Sequence, residues 1–482
     1  METMTTGERI TVEKLDCLPA HRSGTEKRWE EALSKLQRKV VVLDDDPTGI
    51  QTVHDVYVYT KWDRQTMKEA FEEDEKMFFI LTNSRGLTEE ESKKQHREIA
   101  RNLAWSAKET GQDFILISRG DSTLRGHWPM ETEILRETLE EETGKRFDGE
   151  IVYPFFPEGG RYTIDDIHYV KQDNLLIPVG ETEFAKDKSF GFTASSLPDW
   201  IEEKTKGTYR AEDVICIGIK QLREGDTEDI AGAISHVQGF EKIIVNSADY
   251  NDVKEFVIAF CSAINDGKEY IFRSAAALPK VLGGVRDEPL LKREDLIDPG
   301  NTHGGMIIVG SHVKKTTRQL DKLKNSGLPV EFIEFNQHRV LEEQGLEKEA
   351  QRVLCIVEDA IQKGKTVAVY TRRERLDLDT ENKDEQLQMS VRISNALTSV
   401  VGNLTKRPSF LIAKGGITSS DVGTKALKVH KAMVKGQIRP GIPVWQTGAE
   451  SKFPDLPYII FPGNVGTEDD LLELVSELNN KQ

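Results

Sequence analysis

Val40-Val-Val-Leu-Asp-Asp-Asp-Pro-Thr-Gly49 is an apolar run that ends abruptly in three carboxylates and a turn. Consecutive apolar residues without polar alternation read as a strand buried on both faces. Pro47 cannot extend a ladder and Gly49 frees the backbone to turn. Asp44, Asp45 and Asp46 therefore fall just past the carboxyl end of a strand, where open α/β sheets bind their ligands. Three adjacent acids repel one another, so a cationic or hydroxylated partner is expected beside them. The plainer alternative is a solvated, capping turn.

Two more apolar runs end in similar fashion. Phe78-Phe-Ile-Leu-Thr-Asn-Ser-Arg85 sets Thr82, Ser84 and Arg85 past one strand, and Phe114–Gly126 sets Asp121, Ser122, Thr123 and Arg125 past another. If these strands are neighbours, their tips converge on one polar crevice. The arginine fork matches a carboxylate bidentately, so Arg85 or Arg125 is a candidate for holding an acid; either alone would be an ordinary ion pair.

Further runs at Ile151–Tyr153, Val214–Ile219 and Lys242–Val245 alternate with helical patterns such as Thr88–Lys108 and Glu131–Glu142. That alternation predicts a mostly parallel sheet with helices on its faces. It lapses at Gly283–Gly305 and resumes with Met306–Val309, Val330–Phe335, Thr366–Tyr370, Phe410–Ala413 and Tyr458–Phe461. The expected fold is α/β: two α/β domains with mostly parallel sheets and an interdomain cleft. The expected boundaries are an extension over 1–37 with an amphipathic helix at Gly24–Leu36, a first domain over 38–285, a hinge linker over 286–304 and a second domain over 305–482. Arg372–Gln388 reads as an inserted, charged surface loop.

The second half carries glycine turns after its strands. Gly305–His312 ends a strand in Gly310-Ser311, and Phe410–Asp421 ends one in Gly415-Gly416-Ile417-Thr418, with a helix expected over Val422–His430. Glycine lets a backbone approach closely and helix-start amides face anions, which suits nucleotide phosphates. Arg439-Pro-Gly441-Ile-Pro443 and Phe461-Pro-Gly463-Asn-Val-Gly466 add turns that could line an adenosine pocket. Gly364-Lys-Thr366 imitates a phosphate loop, but position 359 is Asp and a strand follows where that motif requires a helix.

A formal net charge of −17 disfavours nucleic acid and anionic membrane surfaces as partners. Cys17, Cys216, Cys261 and Cys355 form no CxxC pair, which argues against a zinc cage or disulfide framework and fits a reducing compartment. No signal-peptide layout or membrane-length apolar run is visible, so a cytoplasmic location is expected. Metal ligands cannot be assigned, and a monomer or a homodimer fits equally. One rival is a haloacid-dehalogenase-like phosphatase, with Asp44 as nucleophile and Asp46 as acid/base. Another is a sugar-acid sensor without turnover.

Several elements, in order, resemble the four-carbon acid sugar kinase family over about residues 38–475: Asp45–Gly49, Thr82–Arg85, Asp121–Gly126, Tyr153–Arg161, Glu181–Asp187, Phe272–Ala276, Gly310-Ser311, Gly415–Thr418 and Pro440–Pro443. The resemblance implies an N-terminal sugar-acid-binding domain, a C-terminal nucleotide-binding domain and ATP-dependent phosphorylation of the terminal hydroxyl of a tetronate or 3-oxo-tetronate. By motif it places substrate on Asp45 or Asp46, Arg85 and Asp121 to Arg125, and ATP on Ser311, Gly415 to Thr418 and Gly441. Pro47 and Ile417 depart from the family pattern, which has an apolar residue and often Glu there. Mg²⁺ is expected on the ATP phosphates and Asp45 or Asp121 as the catalytic base.

Overall fold

The Lys39–Asp44 strand is buried at every residue, as its apolar run requires. The structure, a computed structural model, describes residues 7–264, 267–374, 376, 383–463 and 465–479. The chain forms two units, Met1–Thr52 with Lys61–Asp287 and Val53–Thr60 with Glu288–Gln482.

In the first unit a parallel sheet runs in the spatial order Ile215–Ile217, Glu241–Val245, Gly149–Tyr153, Tyr270–Ser274, Phe114–Arg119, Lys39–Asp44, Met77–Leu81. Lys39–Asp44 lies between the two strands singled out above: Asp44 is level with Leu81 on one side and Arg119 on the other. Arg119 is level with Ser274. The three polar tips therefore leave the sheet together. A small antiparallel sheet (Ile10–Thr11, Leu175–Pro178, Ile167–Gln172, Arg161–Ile164) was not anticipated from the sequence. Its strands are short and half polar, and only pairing makes them visible.

The N-terminal segment packs into this unit. The expected helix covers Thr25–Lys35; Trp29 Nε1 donates to Val281 O at 3.0 Å, and Arg28 pairs with Glu255.

In the second unit the sheet order is Val56–Tyr59, Lys431–Arg439, Ile442–Thr447, Pro457–Phe461, Leu411–Lys414, Met306–Val309, Thr366–Thr371, Val330–Phe335. The first four are antiparallel neighbours and the remainder pair in parallel. Val309, Lys414 and Phe461 end level with one another, so the glycine turns that follow them share one end of the sheet. Helices Lys314–Lys324 and Asp470–Asn479 bury Leu320, Leu323, Leu471 and Leu474 against it.

The structure differs from the sequence reading in several places. Val53–Thr60 belongs to the second unit, where Val56–Tyr59 pairs with Lys431–Val434 far along the chain. The 286–304 segment is anchored there too: Leu291 N donates to Gln437 O at 2.8 Å and Ile297 is core. The stretch after Gly416 is a helix to Asp421 and a π-turn over Val422–Ala426, and then becomes a strand. Of the expected loop at 372–388, residues 375 and 377–382 lie outside the described residues, and a helix begins at Lys383.

Candidate functional site

The first unit concentrates charge at the strand tips. Asp44 is 1% exposed, and Arg119 Nη1 donates to its Oδ1 at 3.0 Å. Its Oδ2 has no hydrogen-bond partner among the described residues. Gly49 turns directly over this carboxylate, where a Cβ would overlap it. Burial raises the Asp44 pKa to about 7; Arg119 opposes the rise, and the charges of Asp45 and Asp46 add to it. A nucleophile needs access that Asp44 lacks, which counts against the phosphatase alternative.

Asp45, itself buried, and the partly exposed Asp46 both meet Arg85. Arg85 forks onto Asp45, with Nε to Oδ2 at 3.0 Å and Nη2 to Oδ1 at 2.6 Å, and its Nη1 reaches Asp46 Oδ2 at 3.4 Å. Asp46 Oδ1 also accepts from Thr48 N at 2.8 Å and Thr48 Oγ1 at 2.6 Å. Burial alone would raise Asp46, but Arg85 and Thr48 outweigh it and hold the carboxyl below its usual range.

Asp121 accepts from Arg125 Nε at 2.6 Å and from Thr123 Oγ1. Burial works against its ionisation, yet Arg85 and Arg125 prevail and keep it well below the ordinary carboxylate range. Arg125 Nη1 also lies 3.7 Å from Asp187. Burial pushes His168 down to about 4, so the ring is neutral at ordinary pH and its Nε2–H donates to Ser122 O at 2.8 Å. That bond pins the loop carrying Ser122 and Thr123.

The structure thus brings Asp45, Asp46, Arg85, Asp121, Ser122, Thr123 and Arg125 together at one end of the sheet. A cavity of about 830 Å³ opens beside Arg85 and Gly126, with His127, Phe190 and Lys204 on its wall. Sequence reasoning missed Arg119 and gave no role to Arg273. Arg273 Nη2 donates to Arg125 O at 3.0 Å beneath Gly120, where any Cβ would overlap the guanidinium. In the sequence it stood only inside the Phe272–Ala276 element, with no role attached, and the bracketing glycines Gly120 and Gly126 gave a second trace.

In the second unit the glycine turns do line one space. A cavity of about 520 Å³ is bounded by Gly310, Ser311, Gly415, Gly416, Ile417, Thr418 and Gly463, with Val313, Met389, Ile393 and Leu397 as its apolar side. Gly415 has φ +120°, and a Cβ there would come 2.9 Å from Ser311 Cβ. A Cβ on Gly310 would overlap Thr418 Oγ1. Two loops can approach this closely only without side chains.

The third loop is clamped from below. Thr316 Oγ1 donates to Gly463 O at 2.9 Å, Gln319 Nε2 to Thr467 O at 2.6 Å, and the fully buried Lys414 Nζ to Pro462 O at 2.7 Å. Burial, with Lys315 nearby and Asp470 opposing, lowers Lys414 to about 7. Ile417 is 75% exposed at the cavity rim, which suits an apolar contact surface rather than core packing. Gly441 forms the turn between Lys431–Arg439 and Ile442–Thr447 and does not line this cavity.

The space suits a nucleotide: glycine backbone and the hydroxyls of Ser311 and Thr418 on one side, aliphatic surface on the other. No carboxylate is among its described lining residues, so the protein offers Mg²⁺ only neutral oxygens there, such as the hydroxyls of Ser311 and Thr418. Elsewhere, among the described residues, His21, Asp249 and Asp252 converge. Arg223 already binds both acids, with Nε to Asp252 Oδ1 at 2.7 Å and Nη2 to Asp249 Oδ2 at 3.0 Å. His54, Asp55 and Glu288 form a second such group, largely exposed. Neither group is at the strand tips. No helix among the described residues is long and apolar enough to cross a membrane.

Residues 40–282 match the model of a sugar-binding N-terminal domain, and residues 306–471 match that of a nucleotide-binding C-terminal domain. Among solved structures, a Salmonella typhimurium LT2 protein provisionally named as a tRNA synthase is similar at 17% identity and TM-score 0.63, over 90% of this chain and 98% of that one. A Haemophilus influenzae protein of the DUF1537 family is similar at 17% identity and TM-score 0.58, over 91% and 100%. At such identity the likeness is one of fold. No curated protein matches the chain.

Proposed function

The chain belongs to the four-carbon acid sugar kinase family, and from that premise we propose that it transfers the γ-phosphoryl group of ATP to the terminal hydroxyl of a tetronate or 3-oxo-tetronate. The observation with most weight is the meeting of Asp45, Asp46, Arg85, Asp121 and Arg125 at the strand tips, with Arg85 on the wall of an open cavity, in the unit that carries the sugar-binding match.

In this reading the substrate hydroxyls are held by Asp45, Asp46 and Asp121 and by the Ser122-Thr123 loop, in a field that Arg85 and Arg125 keep from being repulsively negative. Phosphoryl transfer depends on in-line positioning and charge neutralisation more than on covalent chemistry. Asp121, ionised throughout the physiological range, orients a hydroxyl and is a weak proton acceptor. Asp45 is the group that accepts the hydroxyl proton.

ATP phosphates sit against the amides of Ser311, Gly416 and Gly463 and the Thr418 hydroxyl, and Ile417 with Val313 and Leu397 covers the base. Bound Mg²⁺ would neutralise phosphate charge, taking its anionic ligands from the nucleotide. The test is ADP release over a panel of four-carbon sugar acids with Mg-ATP, with neutral tetritols as controls. Release with an acid and not with a tetritol is expected. Acid-induced melting shifts without ADP release would replace the kinase with the sensor.

A further inference from the structure

We propose that Arg161 is the docking residue for the substrate's carboxylate, and that Arg85 and Arg125 are structural to the same site. The inference rests on the sugar-acid reading above and deepens it.

The arginines at the tips differ in what neutralises them. Arg85 spends its fork on Asp45 and Asp46. Arg125 is engaged by Asp121, and Arg119 by Asp44 at 3.0 Å and Asp45 at 3.6 Å. Arg273 has no carboxylate, but it is 5% exposed and committed to the carbonyls of Ser274 and Arg125. Arg85, Arg119 and Arg125 already share their charge with carboxylates and Arg273 is buried on carbonyls, so an incoming acid gains less from any of them than from a guanidinium with no ion pair.

Arg161 is different. It opens the Arg161–Ile164 strand, and its backbone is fixed by Arg161 N to Phe156 O at 2.9 Å. Its guanidinium lies 5.5 Å from the centre of the Phe184 ring, and Arg125 lies 5.1 Å from the same ring. The shared ring places Arg161 beside the loop that carries Asp121 and Ser122. Yet among the described residues its side chain makes no ion pair and no hydrogen bond, and its Nε is buried without a partner.

A half-buried, unneutralised guanidinium is a standing cost that an anion would offset. Burial depresses the Arg161 pKa despite the nearby charge of Asp121, and Arg125 adds to the depression. Arg85 shows the reverse: against its burial, Asp45 and Asp121 hold it well above its ordinary value. Phe184 gives the guanidinium an aromatic neighbour at 5.5 Å, and its planar fork suits two-point recognition of a carboxylate.

The test is calorimetric titration of the full chain with four-carbon sugar acids and their carboxamide analogues, beside the ADP-release assay. In Arg161→Met, acid affinity should fall roughly 10- to 100-fold, the loss of one charge-assisted pair. The carboxamide should bind both proteins equally, which also reports a folded site. Arg161→Lys should recover part of the acid affinity. Unchanged acid binding by Arg161→Met overturns the inference, and continued ADP release in that variant leaves the kinase reading standing. Arg161-dependent acid binding without ADP release in the wild type does the opposite. A wild type that binds no acid of the panel sinks both.

Discussion

Asp44 carries a proton at pH values where Asp46 does not. Its folded pKa of about 7 lies above the value near 3.9 expected for an unfolded chain. A raised carboxyl stabilises the fold fully below the unfolded value, and that contribution is lost as pH rises towards 7. Asp44→Asn removes the titration. The melting temperature of the variant, relative to wild type, should therefore be higher at pH 8 than at pH 5, by a margin on the order of a few kcal/mol in stability. Equal differences at both pH values would show that Asp44 does not titrate in the folded protein. Legibility at this scale was uneven. The adjacent acids and the nearby arginines were plain in the sequence because residue types at strand ends are a local property. Which guanidinium each acid would meet was not, since Asp44, Asp45 and Asp46 differ only in where the strand stops and which arginine reaches them.

At the scale of elements, the glycine loops depend on what faces them. Gly310, just past the Met306–Val309 strand, must lack a side chain because the Thr418 hydroxyl occupies the space of its Cβ. Gly310→Ala forces the Thr418 turn aside, an overpacking cost of about 1–3 kcal/mol. Nucleotide affinity should fall about tenfold or more, measured by titration with a non-hydrolysable ATP analogue. Retained affinity would mean that this turn does not touch phosphate. The strands that end in these loops were read correctly because continuous apolar runs mark buried parallel strands. The Lys431–Arg439 and Ile442–Thr447 hairpin was not, because the first of these strands is half exposed, carries bulges and reads locally as charged coil.

At the scale of the whole molecule, the family match assigns sugar binding to one unit and nucleotide binding to the other. Ligand effects should divide in the same way. Arg125→Met, which releases Asp121 from its ion pair, should weaken sugar-acid binding by roughly tenfold or more and leave nucleotide binding within error. Gly310→Ala should reverse that pattern. Thermal-shift titrations of both variants with both ligands decide the matter, and equal losses for both ligands would contradict a division of labour.

The order of strands and turns, the α/β class and the residue types at each strand end follow from local sequence alone, because apolar periodicity and turn chemistry act over a few residues. Only the folded chain decided that Val56–Tyr59 joins a sheet built mostly from residues beyond position 300, and that Arg161, with Asp121 nearby, makes no ion pair among the described residues and leaves its Nε unbonded. Both outcomes depend on which distant segments pair, and hydrogen-bond partners and counter-charges are chosen in space, where neighbours in sequence have no vote.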